Sequence, residues 1–221
     1  MNRENFDEYQ MNEISAGRKS HVDVSVYADP KYNNDQMHQI RRGIEEGVDV
    51  SWYADPKYGW SQMREIRWGL ESGLDVSVYA DQKYNFMQMR HIRRGLQTGL
   101  DVSIYANPKF DDEQMQTLLF GVFDGIDVSK AADPKYDADQ MQEIYWGINS
   151  GIDVSVYADS KYDWRQMRQL RFGLEHGVDV SIYADPKFNK EQMEQIRKDL
   201  EAQHNRPAVQ LNKPTGKGLE R

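Results

Sequence analysis

The sequence predicts an all-α solenoid: seven 26-residue units, each a short helix followed by a longer one, stacked behind an N-terminal half unit. Three observations carry this. Asp-Val-Ser begins at Asp23, Asp49, Asp75, Asp101, Asp127, Asp153 and Asp179, and Gln-Met keeps the same stride from Gln10-Met11 to Gln192-Met193. Each unit holds one stretch with a helix start signal, a period near 3.6 and a helix stop signal. The remainder of the unit fits a helical face better than a strand. The array covers residues 23–204, residues 1–22 form a capping half unit, and residues 205–221 form a tail.

The short helix comes first in each unit. Leu74-Asp75-Val76-Ser77-Val78-Tyr79-Ala80 alternates, which suits a strand and a leucine-rich horseshoe. The copies argue otherwise. A strand would bury the position of Val78, yet Trp52, Lys130 and Ile182 occupy it elsewhere. Val76 and Ala80 never vary and Tyr79 is replaced only by Ala131, so the constant positions are i, i+3 and i+4. Asp75 then N-caps one to two helical turns, Leu74 and Tyr79 staple them, and the Asp-Pro that follows in most copies, such as Asp55-Pro56, ends them.

The long helix follows. Its N-cap position holds Asn33, Gly59, Asn85, Asp111, Asp137, Asp163 and Asn189, with Gln three residues later in every copy, a capping box. The aromatic residue before the cap and the Met after it have the spacing of a hydrophobic staple. Met63, Ile66 and Leu70 lie at i, i+3 and i+7 and form the buried stripe. Gly47, Gly73, Gly99, Gly125, Gly151 and Gly177 suit the left-handed position past the helix end. A second Gly recurs inside the helix, as Gly69, at a propensity cost of about 1 kcal/mol, and close helix–helix contact is the expected reason. In the last unit these two glycines become Asp199 and Gln203, as a polar terminal cap requires. The tail has no apolar period and contains Pro207, Pro214, Gly216 and Gly218, so it is expected to be disordered.

Composition narrows the class. A mean hydropathy of −0.86 and 38% hydrophobic residues fit a thin, elongated core. No apolar run has the length of a membrane span, the first residues do not form the apolar stretch of a secretion signal, and Cys is absent. A cytoplasmic location is the expectation. The net charge of −8 is concentrated: residues 110–160 carry eleven acids against Lys130 and Lys135. That stretch disfavours nucleic acid and favours a basic partner.

The constant polar residues read as structure. Asp and Ser of the Asp-Val-Ser string and the Lys at Lys31, Lys57, Lys83, Lys109, Lys135, Lys161 and Lys187 are assigned to caps and inter-unit bonds. The variable helix positions read as function. One stripe, spaced by four residues, includes Trp60-Arg64-Trp68, Phe86-Arg90-Arg94, Phe120, Trp146 and Trp164-Arg168-Phe172. Trp and Arg lead among interface hot spots. In the acidic middle the repeated Arg becomes Leu119 and Tyr145, and Phe120, Phe123 and Trp146 lie nearby, so an apolar cluster rimmed by acids is expected there.

The five His occupy unrelated unit positions, and no zinc-protease, phosphate-loop, nucleophile-elbow or dinucleotide motif occurs. Neither an enzyme, a metal site nor a cofactor is expected. The string running from Gln62 to Ala80, Gln-Met-x-x-Ile-Arg-x-Gly-Leu-Glu-x-Gly-Leu-Asp-Val-Ser-x-Tyr-Ala, resembles a tandem repeat of uncharacterised proteins from mobile elements and phages of Gram-positive gut bacteria. The resemblance covers nearly the whole chain. It implies an accessory or anti-defence setting and transfers no site residues. The leading expectation is a non-enzymatic scaffold for a protein partner with a basic surface, acting as an inhibitor or acidic mimic, with a homodimer through the central units as a further option. The alternatives are single-stranded nucleic acid on the aromatic/Arg stripe, and a nucleotide sponge with slots between units.

Overall fold

The computed structural model describes residues 5–204, and every regular element among them is helical. Eight α-helices follow one another: α1 (Glu8–Lys19), α2 (Asn34–Glu45), α3 (Trp60–Glu71), α4 (Phe86–Gln97), α5 (Asp112–Phe123), α6 (Ala138–Asn149), α7 (Trp164–Glu175) and α8 (Lys190–His204). Each packs on the next, as a solenoid requires. The tail, expected to be disordered, lies outside the described residues.

The capping boxes form as the sequence predicts. In α2 the Asn33 side chain accepts from the Gln36 amide at 2.9 Å while Gln36 Oε1 accepts from the Asn33 amide at 2.9 Å. Gly59 supplies no side chain, so α3 keeps only the return bond, Gly59 N–H to Gln62 Oε1 at 2.8 Å. At the other end the six C′ glycines have φ between 67° and 73°, and in α2 the Val48 amide closes on the Gly43 carbonyl at 3.0 Å. His21 takes the same left-handed position at the end of the half unit, with φ 57°.

The short helix is shorter than expected. Five units hold a single 3-10 turn, such as Val76–Val78, and the units at Asp101 and Asp127 hold only hydrogen-bonded turns. Two side-chain turns confine it. Asp75 accepts from the Ser77 amide at 3.0 Å, and Asp81 accepts from the Lys83 amide at 2.9 Å. The repeated Lys therefore marks a turn within its own unit, where an inter-unit bond was expected. Lys31 Nζ also reaches its own unit's Asp29 at 3.9 Å.

The core is a column of Tyr, Met and Ile/Leu side chains running through the stack. Tyr53, Met63, Ile66, Tyr79, Met89 and Ile92 are fully buried, each contributing about 1.5–3 kcal/mol by the usual area accounting. Leu70 is half-buried at the column's edge. The mid-helix glycine has a different cause from the one the sequence suggested. A Cβ on Gly69 would lie 1.9 Å from Tyr79 Oη and 2.9 Å from Val76 Cγ1, so the glycine admits the following short turn rather than a neighbouring helix. Burial pushes the Tyr27 and Tyr183 phenols up to about 12, so they stay neutral donors.

Two hydrogen-bond ladders join units. Gln36 Nε2 donates to the Tyr58 carbonyl at 2.7 Å, and Tyr32 Oη donates to the Ala54 carbonyl at 2.7 Å. Both repeat along the stack, except that Phe110 has no hydroxyl to offer Ala132.

Candidate functional site

The variable stripe lies on one face of the helix row, and the grooves between successive helices open there. Trp60 and Phe86 flank one such groove, Trp146, Arg168 and Phe172 line a second, and Trp164 and Arg168 line a third. The structure thus brings the expected residues to a shared surface. It also shows a layer beneath them that the sequence reading did not resolve.

That layer is a third inter-unit ladder. Arg41 Nε donates to Glu13 at 2.9 Å, Arg67 to Gln39 at 3.2 Å, Arg93 to Glu65 at 2.9 Å, Arg171 to Glu143 at 2.9 Å and Arg197 to Gln169 at 3.1 Å. Each arginine also reaches the residue four positions later, for example Glu45 from Arg41 at 2.6 Å and Glu175 from Arg171 at 2.7 Å. Glu65 and Glu143 are almost wholly buried, where an ion pair stands only with good geometry and further hydrogen bonds.

The ladder arginines cover the stripe aromatics. Arg93 lies 5.4 Å from the Trp68 ring centre, Arg171 lies 5.4 Å from Trp146, and Arg197 lies 5.5 Å from Phe172. Arg64 is sandwiched between Trp60 and Trp68 at 5.1 and 4.8 Å, and Arg168 stacks on Trp164 at 4.7 Å while pairing with Glu143 at 2.8 Å. These cation–π contacts bind the stripe into the stack. Trp68, Trp146 and Phe172 therefore pack between adjacent helices while keeping an open edge. Phe86, Arg90 and Arg94 on α4 are exposed.

The ladder stops on both sides of α5. The acceptor position holds His91 and then Thr117, and the arginine position 28 residues later holds Leu119 and then Tyr145. The second acceptor, Glu45 in α2, becomes Phe123 in α5. An Arg–Glu pair is thus exchanged for Leu119–Phe123, and no cation covers Phe120 among the described residues. Phe120 is 54% exposed and Phe123 63%, against 37% for Trp68 and 36% for Trp146. Leu119 is half-buried, and Tyr145 donates to Asp124 at 2.6 Å. That hydrogen bond, then burial, holds the Tyr145 phenol above its usual range. Arg94, Thr98, Leu119, Phe120, Phe123 and Asp124 line a groove of about 410 Å³. His91, at the acceptor position of the ladder on α4, is buried, its Nδ1 has no hydrogen-bond partner, and burial depresses its pKa.

Sequence reasoning named the surface residues of this site and missed what uncovers them. The signal was present: the two departures at Leu119 and Tyr145 coincide with two departures 28 residues upstream, at His91 and Thr117. Among the described residues no group of three or more His, Asp or Glu is placed to hold a metal, and no helix is long and apolar enough to cross a membrane. The chain matches no protein-family model, and neither a curated protein nor a solved structure is similar enough to show a relationship.

Proposed function

We propose that this chain is a non-enzymatic repeat scaffold that binds a protein partner through the variable face, with its anchor at the centre of the array. The observation that carries this reading is the exchange of the ladder pair for Leu119 and Phe123. Together with Tyr145 in the next arginine position, it costs two inter-unit contacts and leaves Phe120 and Phe123 uncovered within the acidic stretch. Exposed apolar side chains rimmed by charge are typical of contact surfaces. The eleven acids of residues 110–160 favour a partner with a basic surface. An accessory or anti-defence role on a mobile element, as an inhibitor or acidic mimic, is the setting the sequence resemblance suggests.

The test replaces Phe120 and Phe123 together by Ala. Both side chains are exposed, so helicity and thermal midpoint are expected to stay close to those of the parent. Capture of a partner from host lysate is expected to fall by at least ~10-fold, the loss of one hot spot. Undiminished capture by a folded variant would remove the central anchor. A second reading, single-stranded nucleic acid on α3 and α4, draws on the exposed Phe86, Arg90 and Arg94. It ranks lower because Arg93 and Arg64 already occupy the Trp68 ring.

A further inference from the structure

The variable face already holds arginines of its own, and it holds them on aromatic rings. Trp68, Trp146 and Phe172 each carry the guanidinium of the next helix within 5.5 Å. Phe120 occupies the same unit position, and the residue that would cover it is Tyr145. The Tyr145 hydroxyl is turned to Asp124. Helix α5 thus presents the aromatic ring, an apolar wall and a carboxylate, with no cation over the ring among the described residues.

We infer that the groove between α4 and α5 is a receptor for an arginine side chain of a protein partner, stacked on Phe120 and paired with Asp124. The inference rests on the scaffold reading above and narrows it to a chemistry. Leu119 and Phe123 supply the apolar surface that an arginine stem covers. Asp124 is exposed, forms no ion pair among the described residues and is the C-cap of α5, where the helix dipole adds to the attraction for a cation. Asp124 keeps one oxygen on Tyr145, which fixes the carboxylate and leaves the other oxygen to the ligand. Arg94 stands on the opposite wall. Its charge disfavours a cation at that side and directs the guanidinium toward Asp124. A planar guanidinium suits this geometry better than an ammonium, because it stacks on a ring and binds a carboxylate in one plane. The acidic stretch that begins at α5 supplies charge complementarity for a basic segment lying on that side of the groove, whereas α4 is itself basic, with Arg90, Arg93 and Arg94.

The probe is a short synthetic peptide alternating arginine and leucine, titrated calorimetrically into the full chain at low salt. Its counterpart carries citrulline, which has the shape of arginine without the charge. The arginine peptide is expected to bind at least ~10-fold more tightly than the citrulline peptide. Phe120→Ala and Asp124→Asn are each expected to weaken it by ~5-fold or more. Asn retains an acceptor for Tyr145, and circular dichroism confirms that each variant is folded. Equal affinity for the two peptides overturns the inference, as does unchanged affinity in either folded variant. So does a concentration-dependent dimer that Phe120→Ala dissolves, because a second copy would then fill the groove. Competition for the groove by a single-stranded oligonucleotide would overturn it as well. Failure of the two readings is distinguishable. If the Phe120/Phe123 variant loses a lysate partner but the arginine peptide does not bind, the scaffold stands and the arginine site falls. Arginine-peptide binding that meets every criterion above, with undiminished lysate capture by the double variant, keeps the site and removes the scaffold's central anchor.

Discussion

Gly69 and Tyr79 show how a single residue is dictated from outside its own helix. Tyr79 is fully buried and donates to the Glu65 carbonyl at 3.2 Å, so its hydroxyl cannot swing aside. An added Cβ at position 69 would stand 1.9 Å from that hydroxyl. Ala in a helix gains about 1 kcal/mol over Gly, but overpacking a closed site costs about 1–3 kcal/mol. Gly69→Ala is therefore expected to destabilise the chain despite its better helix propensity. Tyr79→Phe alone loses one hydrogen bond, about 1 kcal/mol. In the double variant the nearest contacts relax to Val76 Cγ1 at 2.9 Å and the ring Cζ at 3.2 Å. The combined cost is then expected to be less than the sum by about 1 kcal/mol, read from urea denaturation of the four proteins. Strict additivity would show that the hydroxyl is not what excludes a side chain. The glycine itself was legible in the repeat. Its reason was not, because the hydroxyl that demands it belongs to the next element.

At the scale of elements, the capped helices and the left-handed glycines were legible because their causes are local. Each involves residues within about one turn of each other, and that spacing survives in the sequence. The arginine ladder was hidden because its partners stand 28 residues apart, on adjacent helices. The sequence therefore placed Leu119 and Tyr145 in the candidate site without showing that they remove a structural arginine. Restoring the ladder between α4 and α5 tests that account. His91→Glu alone buries a carboxylate opposite Leu119, and a buried charge without its partner costs about 3 kcal/mol. Leu119→Arg alone faces a histidine that repels it whenever protonated. The pair together recreates the Glu65–Arg93 arrangement, and a favourable coupling of about 1–3 kcal/mol is expected from the double-mutant cycle. A coupling near zero would mean that the arginines are held by their own helices alone, through the i,i+4 bonds.

For the whole molecule, a solenoid's cooperativity depends on the interfaces between its units, since no unit touches any but its neighbours. The ladder joins α1 through α4 and again α6 through α8. It is absent on both sides of α5. The α5/α6 junction also lacks a tyrosine hydroxyl, at Phe110, and a buried tyrosine ring, at Ala131. On the α4 side, Tyr105 Oη has no hydrogen-bond partner, whereas Tyr79 and Tyr157 each donate to a helix carbonyl. Hydrogen bonds to charged groups contribute about 1.5–3 kcal/mol each, so a junction missing them couples its flanks weakly. The array is therefore expected to unfold as two blocks that part around α5. The five tryptophans fall on opposite sides, with Trp52, Trp60 and Trp68 in the first block and Trp146 and Trp164 in the second. Replacing either set with Phe leaves fluorescence that reports on one block alone. Urea midpoints from the two reporters are expected to differ, and each slope to be smaller than a whole-chain transition requires. Adding His91→Glu and Leu119→Arg to both reporters should draw the midpoints together, because it rebuilds one of the missing rungs. Coincident transitions with a whole-chain slope in the parent would mean that the column of buried Tyr, Met and Ile couples the units without the ladder. The interruption at α5 would then lack a mechanical consequence, and its effect would be confined to the surface it uncovers.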